Sequence, residues 1–208
     1  PVSRRLELVN YSAAHGSLVI EDDFENEFVY LQKPTPSLFG LAGGQNVVYL
    51  GTFSRLLLPS IRISFMVLPP ELSALYRKKA DQYNQTASKA EQIALCQFIR
   101  DGHLAAQTRK LKRLYSVKLK ALRSAVREVF GKDSQIQTGA AGTSLALTLS
   151  TTLTWQELQK KAQTNGLRLQ LLREAPGKIT LILSCSSMPV ADFIPACKLL
   201  KDISQIQN

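Results

Sequence analysis

The stretch VVYLGTFSRLLLPSIRISFMVLP, residues 47–69, gives the clearest indication of the fold. It contains two apolar runs typical of strands, VVYLGTF at 47–53 and RISFMVLP at 62–69. Between them lie a turn rich in glycine and hydroxyl groups and two arginines, Arg55 and Arg62. Backbone amides, hydroxyls and arginines are the groups that bind phosphate in proteins. The stretch therefore predicts a sheet with an anion site where a strand ends.

A third apolar run, SLVIEDDF at 17–24, precedes this stretch and ends in acidic residues. Five carboxylates fall within residues 21–27. Open α/β sheets bind ligands at the carboxyl ends of their strands, so these acids suit a ligand site. A solvated acidic loop explains them equally well. The three strands, separated by loops such as residues 27–46, predict a sheet buried on both faces.

Helical patterns surround and follow these strands. The predicted helices lie at 4–14, 69–83, 88–102, 104–129, 154–166 and 189–207, and further strands at 143–150, 167–172 and 178–186. Ser88 with Glu91 predicts a capping box, and Thr154 predicts a second helix cap. This order predicts an α/β fold in two parts, a partial large domain with connecting helices at 1–105 and a small α/β domain at 106–208.

The positive charge is concentrated in one predicted helix. The 208 residues carry 26 lysines and arginines against 16 acids, a net charge of +10. The helix at 104–129 carries eight of the basic residues and one acid, Glu128. This face follows a phosphate backbone, or is a solvated outer face, or meets an acidic surface elsewhere. No aromatic residues alternate with the charges, which argues against binding of single strands.

Several classes of protein are disfavoured. The apolar runs are too short for a membrane helix and no secretory signal is evident, so we expect a cytoplasmic protein with no membrane partner. The three cysteines are odd in number and far apart, and with two histidines no zinc spacing occurs; we expect no metal site. Ser54 has no candidate triad partners, and GTFS is not a Walker loop.

Three segments together carry a family resemblance: SRRLELVNYSAAHGSLVIEDDFENEFVY at 3–30, PTPSLFGL at 34–41, and residues 47–69. The chain resembles the aminotransferase-like domain of MocR-type transcriptional regulators, which belong to the GntR group. That domain is similar to fold-type I pyridoxal-phosphate enzymes. The likeness is specific over residues 2–70 and weaker beyond them. It implies the C-terminal portion of that α/β domain, with a partial large-domain sheet and a small α/β domain.

The resemblance implies a pyridoxal-phosphate site. Asp22 matches the carboxylate that pairs with the pyridine nitrogen of the cofactor and keeps the ring protonated. Thr52 and Ser54 match the turn near the phosphate, and Arg62 matches the phosphate-binding arginine, a role that suits a planar bidentate donor. Phe24 stands where the family commonly has a tyrosine, and it cannot make the hydroxyl contact.

Arg55 is the decisive departure, because it stands where the family has the lysine that forms the Schiff base. Schiff-base formation needs a primary amine that can lose its proton. A guanidinium stays protonated, with a pKa above ~12. We therefore predict no catalytic residue, and pyridoxal phosphate bound at most non-covalently or not at all. The serines of LILSCSSM, residues 181–188, also stand where an arginine for a substrate carboxylate is expected.

The resemblance also bears on partners. It implies a DNA-binding winged helix, a linker and the first half of the domain before Pro1, and these are absent from the 208 residues. We expect DNA contact only through such a winged helix. Unpaired strand edges predict a homodimer or pairing with the missing N-terminal half.

Three functions remain open. The first is a truncated, degenerate effector-binding or oligomerisation domain of a MocR-like regulator that has lost catalysis. The second is a pyridoxal-phosphate-dependent aminotransferase, or a fragment of one, completed by another chain. The third is a remnant without independent activity.

Overall fold

The computed structural model describes residues 2–23, 35–54, 56–131, 134–138, 142–186 and 188–204. They form two compact units, one of the described residues up to 110 and one of those from 111 onward. Phe24 and Arg55 lie outside the described residues. Among the residues described, no helix combines the length and apolar character needed to cross a membrane.

The first unit contains a three-stranded sheet and the helices that lie before residue 111. Its elements are α1 (Val2–Ala14), β1 (Val19–Asp22), α2 (Leu38–Leu41), β2 (Val47–Thr52), β3 (Ser64–Val67), α3 (Pro70–Lys79), a 3-10 turn (Ala80–Gln82), α4 (Lys89–Arg100) and the beginning of α5 (His103–Phe130). The strand order is β1-β2-β3. β2 runs parallel to β1 and antiparallel to β3.

The three-stranded sheet is buried on both faces at the start of β2 but exposed at β3, so the sequence prediction of a sheet buried on both faces is wrong for β3. Val47 and Val48 of β2 are buried, but every residue of β3 is exposed. Gly51 of β2 lies directly beneath the Phe65 ring of β3, and a Cβ at this position would overlap that ring. The close approach of Phe65 to the backbone explains why a glycine stands in this strand.

Helix α2 lies within the segment 27–46 that the sequence predicts to be a loop. Its N-cap is Ser37, whose hydroxyl accepts a hydrogen bond from the Gly40 amide at 3.0 Å. The carboxylate of Glu21 accepts two more, from the amides of Leu38 and Phe39 at 2.9 and 3.1 Å. These bonds satisfy amides that a helix start leaves unpaired, which stabilises a helix of only four residues.

The second unit contains the remainder of α5 and a four-stranded antiparallel sheet. Its other elements are β4 (Gln135–Thr138), β5 (Ser144–Ser150), α6 (Trp155–Thr164), β6 (Gln170–Ala175), β7 (Lys178–Ser184), a 3-10 turn (Val190–Asp192) and α7 (Phe193–Ile203). The strand order is β4-β5-β7-β6. Alternate residues of β5 and β7 pack with buried residues of α5, α6 and α7 into one core. Strand β4 was absent from the sequence prediction.

The helix caps follow the sequence closely. Thr154 and Glu157 form a complete capping box at the start of α6. Gly166, with φ of +75°, follows the end of that helix in the left-handed region that favours glycine. At α4, the Ser88 hydroxyl accepts from the Glu91 amide at 3.5 Å, which is one half of the predicted capping box; the reciprocal bond from the Ser88 amide to the Glu91 side chain is not found among the described residues.

Candidate functional site

Strand β1 sends its consecutive acids to opposite faces of the sheet. Side chains alternate along a strand, so Glu21 and Asp22 cannot share a face. Glu21 is buried, with 8% of its side chain exposed, whereas Asp22 is exposed. Only Asp22 is therefore available to a ligand on the exposed face.

Glu21 is a structural residue. It forms an ion pair with Arg5 of α1 at 2.8 Å, in addition to its bonds to the start of α2. Arg5 also donates to the Pro36 carbonyl at 3.2 Å. One carboxylate thus joins α1, β1 and α2, and this fixes the strand that carries Asp22.

On the Asp22 face of the sheet, the strand register places the side chains in two rows that run across the strands. Asp22, Leu50 and Met66 are paired across the three strands, and Thr52 and Ser64 are paired two residues further along β2. Paired residues share a face, and residues i and i+2 of a strand do too, about 7 Å apart. This face of the sheet therefore carries the Asp22 carboxylate, the apolar side chains of Leu50 and Met66, and the hydroxyl of Thr52.

A cavity of about 580 Å³ lies at this position in the first unit. Its lining includes four of the residues to which the sequence assigned a role: Asp22, Thr52, Ser54 and Arg62. The volume lies within the roughly 300–1,000 Å³ typical of small-molecule sites. The structure thus brings together residues that are separated by 40 positions in the chain.

The hydroxyls of the GTFS turn bond to the segment that carries Arg62. The Ser54 hydroxyl donates to the Ile61 carbonyl at 2.6 Å, and the Thr52 hydroxyl donates to the Ile63 carbonyl at 3.4 Å. The Phe53 amide also donates to the Ile63 carbonyl, at 3.1 Å. These bonds fix the backbone on both sides of Arg62, so the two hydroxyls position the arginine.

Arg62 itself is exposed, and no carboxylate in the described part of the chain lies within ion-pair distance of it. A guanidinium can make two parallel hydrogen bonds to a phosphate group. A carboxylate, an unpaired arginine and apolar side chains in one cavity match the groups of a pyridine ring that carries a phosphate ester. The described residues therefore fit a phosphorylated pyridine such as pyridoxal phosphate, since they offer a carboxylate for the ring nitrogen and a guanidinium for the phosphate.

Several features of the site were not found by sequence reasoning. Tyr76 of α3 and Gln85, which follows α3, line the same cavity, and no local pattern marked them. The Tyr49 hydroxyl donates to the Asp23 carboxylate at 2.7 Å on the other face of the sheet. Tyr49 is paired in register with Glu21, and Asp23 follows two residues later on the same face, so this bond could not be predicted without the register.

In the second unit, the segment LILSCSSM ends in a turn whose polar groups already have partners. The hydroxyls of Ser184 and Ser186 are 2.7 Å apart, and Lys118 of α5 donates to the Ser186 carbonyl at 3.1 Å. Burial raises the pKa of the Cys185 thiol, and the nearby Lys118 charge opposes that shift. Cys185 donates to the Thr143 carbonyl at 3.1 Å. Ser187 lies outside the described residues.

Burial also raises the pKa of Cys197 in α7, to about 11. This thiol is part of the core of the second unit and stays protonated at neutral pH. It therefore behaves as a small apolar side chain.

Comparisons with known proteins identify the relatives of this chain. No protein-family model matches it. The HTH-type transcriptional regulator YdeL of Bacillus subtilis is 32% identical over 204 residues, which cover 96% of this chain and 44% of YdeL. MocR of Rhizobium meliloti, a probable rhizopine catabolism regulatory protein, is 30% identical over 168 residues, 81% of this chain and 34% of MocR. The chain thus spans less than half the length of these relatives.

The fold is that of an aminotransferase. The crystal structure of LysN, the α-aminoadipate aminotransferase of Thermus thermophilus, was solved with N-(5'-phosphopyridoxyl)-L-leucine. It superposes with a TM-score of 0.78 at 24% identity, over 99% of this chain and 54% of LysN. The chain is therefore a relative of the MocR-type transcriptional regulators of the GntR group, with the fold of the fold-type I aminotransferases.

Proposed function

We propose that this chain is the effector-binding and oligomerisation part of a MocR-like regulator, and that it holds pyridoxal phosphate or a related phosphorylated pyridine without a covalent link. The observation that carries the proposal is the cavity that Asp22 and Arg62 share. The residue at the Schiff-base position is Arg55, whose guanidinium cannot supply the neutral amine that a covalent link requires.

Each residue would have a distinct task. The Asp22 carboxylate would hold a proton on the pyridine nitrogen, and Arg62 would bind the phosphate oxygens. Ser54 and Thr52 would keep the Arg62 segment in place through their bonds to Ile61 and Ile63. Pyridoxal phosphate, when bound, supplies an electron-withdrawing ring and an aldehyde. Without a lysine at position 55, the protein would recognise this molecule instead of using it for transamination.

Assembly is the second part of the proposal. Leu18, Ile20 and Met66 of the first unit are each about half exposed or more. Leu18 directly precedes β1, and Ile20 and Met66 lie on the two strands that flank β2. Exposed apolar side chains grouped on one sheet are commonly covered by another polypeptide. We expect a second copy, or the N-terminal half of the domain, to cover them. Light scattering on the purified chain separates the two: a dimer supports cover by a second copy, and a monomer that also stays monomeric when mixed with the N-terminal half would contradict this part of the proposal.

Equilibrium binding of pyridoxal phosphate tests the site. We expect the wild-type chain to bind it saturably, and Arg62→Gln to weaken binding at least ~10-fold because the charge-assisted bonds to phosphate are lost. Arg100→Gln is the matched control, since Arg100 of α4 is exposed and does not line the cavity. Equal affinities of the Arg62 and Arg100 variants would show that the phosphate does not bind at Arg62.

An aminotransferase completed by another chain is the second candidate. The LysN fold favours it, although that likeness concerns the fold alone. Amino-group transfer from amino acids to a 2-oxo acid, measured with added pyridoxal phosphate, separates the two candidates. Our proposal predicts no transfer above the rate of the free cofactor.

A further inference from the structure

Helix α5 accounts for most of the net charge of the protein. It carries eight lysines and arginines and one acid, Glu128, and so supplies seven of the ten net positive charges. Such a concentration on one helix creates a local positive field that a uniform distribution would not.

Four of these residues in the second unit form one surface, which we name the basic row: Arg113, Lys120, Arg123 and Arg127. With 3.6 residues per turn, they fall within about 80° of the helix circumference. All four are exposed. The buried residues Leu119, Leu122 and Val126 lie outside this arc and pack in the core of the second unit.

The basic row has no acidic partner within the part of the chain that the structure describes. The two ion pairs found there are Arg4–Glu7 and Arg5–Glu21, both in the first unit. Lys120 and Arg123 are three residues apart, and Arg123 and Arg127 are four apart. Like charges at these spacings destabilise a helix. Binding of a polyanion would remove this repulsion.

We propose that the basic row binds the phosphate backbone of duplex DNA. From Arg113 to Arg127 the helix rises about 21 Å, a length over which a DNA strand presents several phosphates. No aromatic side chain lies in the row to stack on bases, which disfavours single strands. YdeL is an HTH-type transcriptional regulator, so DNA is a polyanion that relatives of this chain meet.

This contact is independent of the pyridoxal-phosphate proposal. The basic row shares no residue with the Asp22–Arg62 cavity. It would add affinity without sequence preference, because phosphate contacts do not read bases. It would also be a DNA contact made by the aminotransferase-like part itself, in contrast to the expectation that DNA is bound only through a winged helix.

Fluorescence anisotropy with a duplex of about 30 base pairs and arbitrary sequence tests the proposal on the full 208-residue chain. The test variant replaces Lys120, Arg123 and Arg127 with glutamine, which retains helix propensity and removes three charges. Each phosphate contact contributes about 0.9 to the slope of log affinity against log salt. We expect the variant to bind at least ~10-fold more weakly at low salt, with a slope smaller by about 2.7.

The matched control replaces Arg77, Lys78 and Lys79 with glutamine. These three residues are exposed in the last turn of α3, and their loss changes the net charge by the same amount. We expect the control to stay within about 3-fold of wild type, because its charges lie outside the row. Circular dichroism verifies that both variants remain helical.

Three results would overturn the proposal. The first is failure of the wild-type chain to bind the duplex at low salt. The second is an equal loss of affinity in both variants, which would indicate an effect of net charge alone. The third is tighter binding of poly-glutamate than of the duplex at equal charge, with the same loss in the row variant. That result would assign the basic row to an acidic polypeptide.

Discussion

The two sheets of this protein differ in how completely they are covered. Ile179 of β7, in the four-stranded sheet, is 1% exposed, whereas Ile20 of β1, in the three-stranded sheet, is 66% exposed. In the four-stranded sheet, the inward residues pack with three helices into a core. In the three-stranded sheet, β3 has no buried residue.

The large buried core and the candidate binding site therefore lie in different units. The second unit buries the large side chains that supply most of the hydrophobic free energy of folding. The first unit carries the Asp22–Arg62 cavity on a sheet whose local structure depends more on polar contacts, such as those of Glu21. The site therefore lies in the unit that buries fewer apolar side chains among the described residues.

The largest predicted effect compares one substitution in both sheets. Ile179→Ala removes a buried side chain from the core and should lower the free energy of unfolding by about 3 kcal/mol. Ile20→Ala removes a side chain that is exposed in the single chain, so it should cost less than about 1 kcal/mol at protein concentrations where the chain is monomeric. Urea unfolding followed by circular dichroism measures both. Similar costs at those concentrations would contradict the exposure of Ile20 in the single chain, whereas a cost of Ile20→Ala that rises with protein concentration would support the proposed cover by a second copy.

An intermediate effect concerns the polar contacts of the first unit. Glu21→Gln should lower the free energy of unfolding by about 2 kcal/mol, because Arg5 and the start of α2 lose a charged acceptor. Glu7→Gln is the control, since the Glu7–Arg4 pair is exposed and should contribute under about 0.5 kcal/mol. Equal losses would contradict the structural role of Glu21.

The smallest effect concerns a helix cap in the second unit. Thr154→Ala should cost about 1 kcal/mol, since the start of α6 loses its capping box. Hydrogen bonds from the backbone and then the side chain of Thr154 lower the pKa of Glu157. A lowered folded-state pKa stabilises the fold above the unfolded pKa, and this stabilisation is lost as pH falls through the folded value.

The pH dependence gives this prediction a second measurement. The difference in stability between wild type and Thr154→Ala should shrink as the pH falls below about 4, because protonated Glu157 binds the cap less well. Thermal unfolding at several pH values measures it. A difference that stays constant from neutral to acidic pH would show that the Glu157 charge does not contribute.

Local sequence signals predicted much of the fold. The helix caps at Ser88 and Thr154 and the stop at Gly166 were predicted because each depends on residues that are adjacent in the chain. Helix α2 was missed because its start depends on Glu21, a residue 17 positions before Leu38. Strand β4 was missed because QIQT is short and polar, and it pairs only with β5 among the described strands.

The site was predicted to a similar extent. Asp22, Thr52, Ser54 and Arg62 were assigned by family resemblance, and the structure places all four around one cavity. The hydrogen bonds from the Thr52 and Ser54 hydroxyls to the Arg62 segment could not be predicted from the sequence, because they join residues that are 11 and 7 positions apart in the chain. The cavity shows that these four residues lie together, and the cofactor-binding roles of all six, Phe24 and Arg55 included, stay predictions from the sequence.

The central claim is that the site retains its phosphate contact and has lost its covalent link. Its most direct test is borohydride reduction of the chain with bound pyridoxal phosphate, followed by peptide mass spectrometry, on wild type and Arg55→Lys. We expect saturable binding to wild type without a specific reduced adduct, and a single reduced adduct at position 55 in Arg55→Lys. A stoichiometric adduct on one lysine of the wild-type chain, lost when pyridoxal phosphate is excluded by inorganic phosphate, would contradict the account.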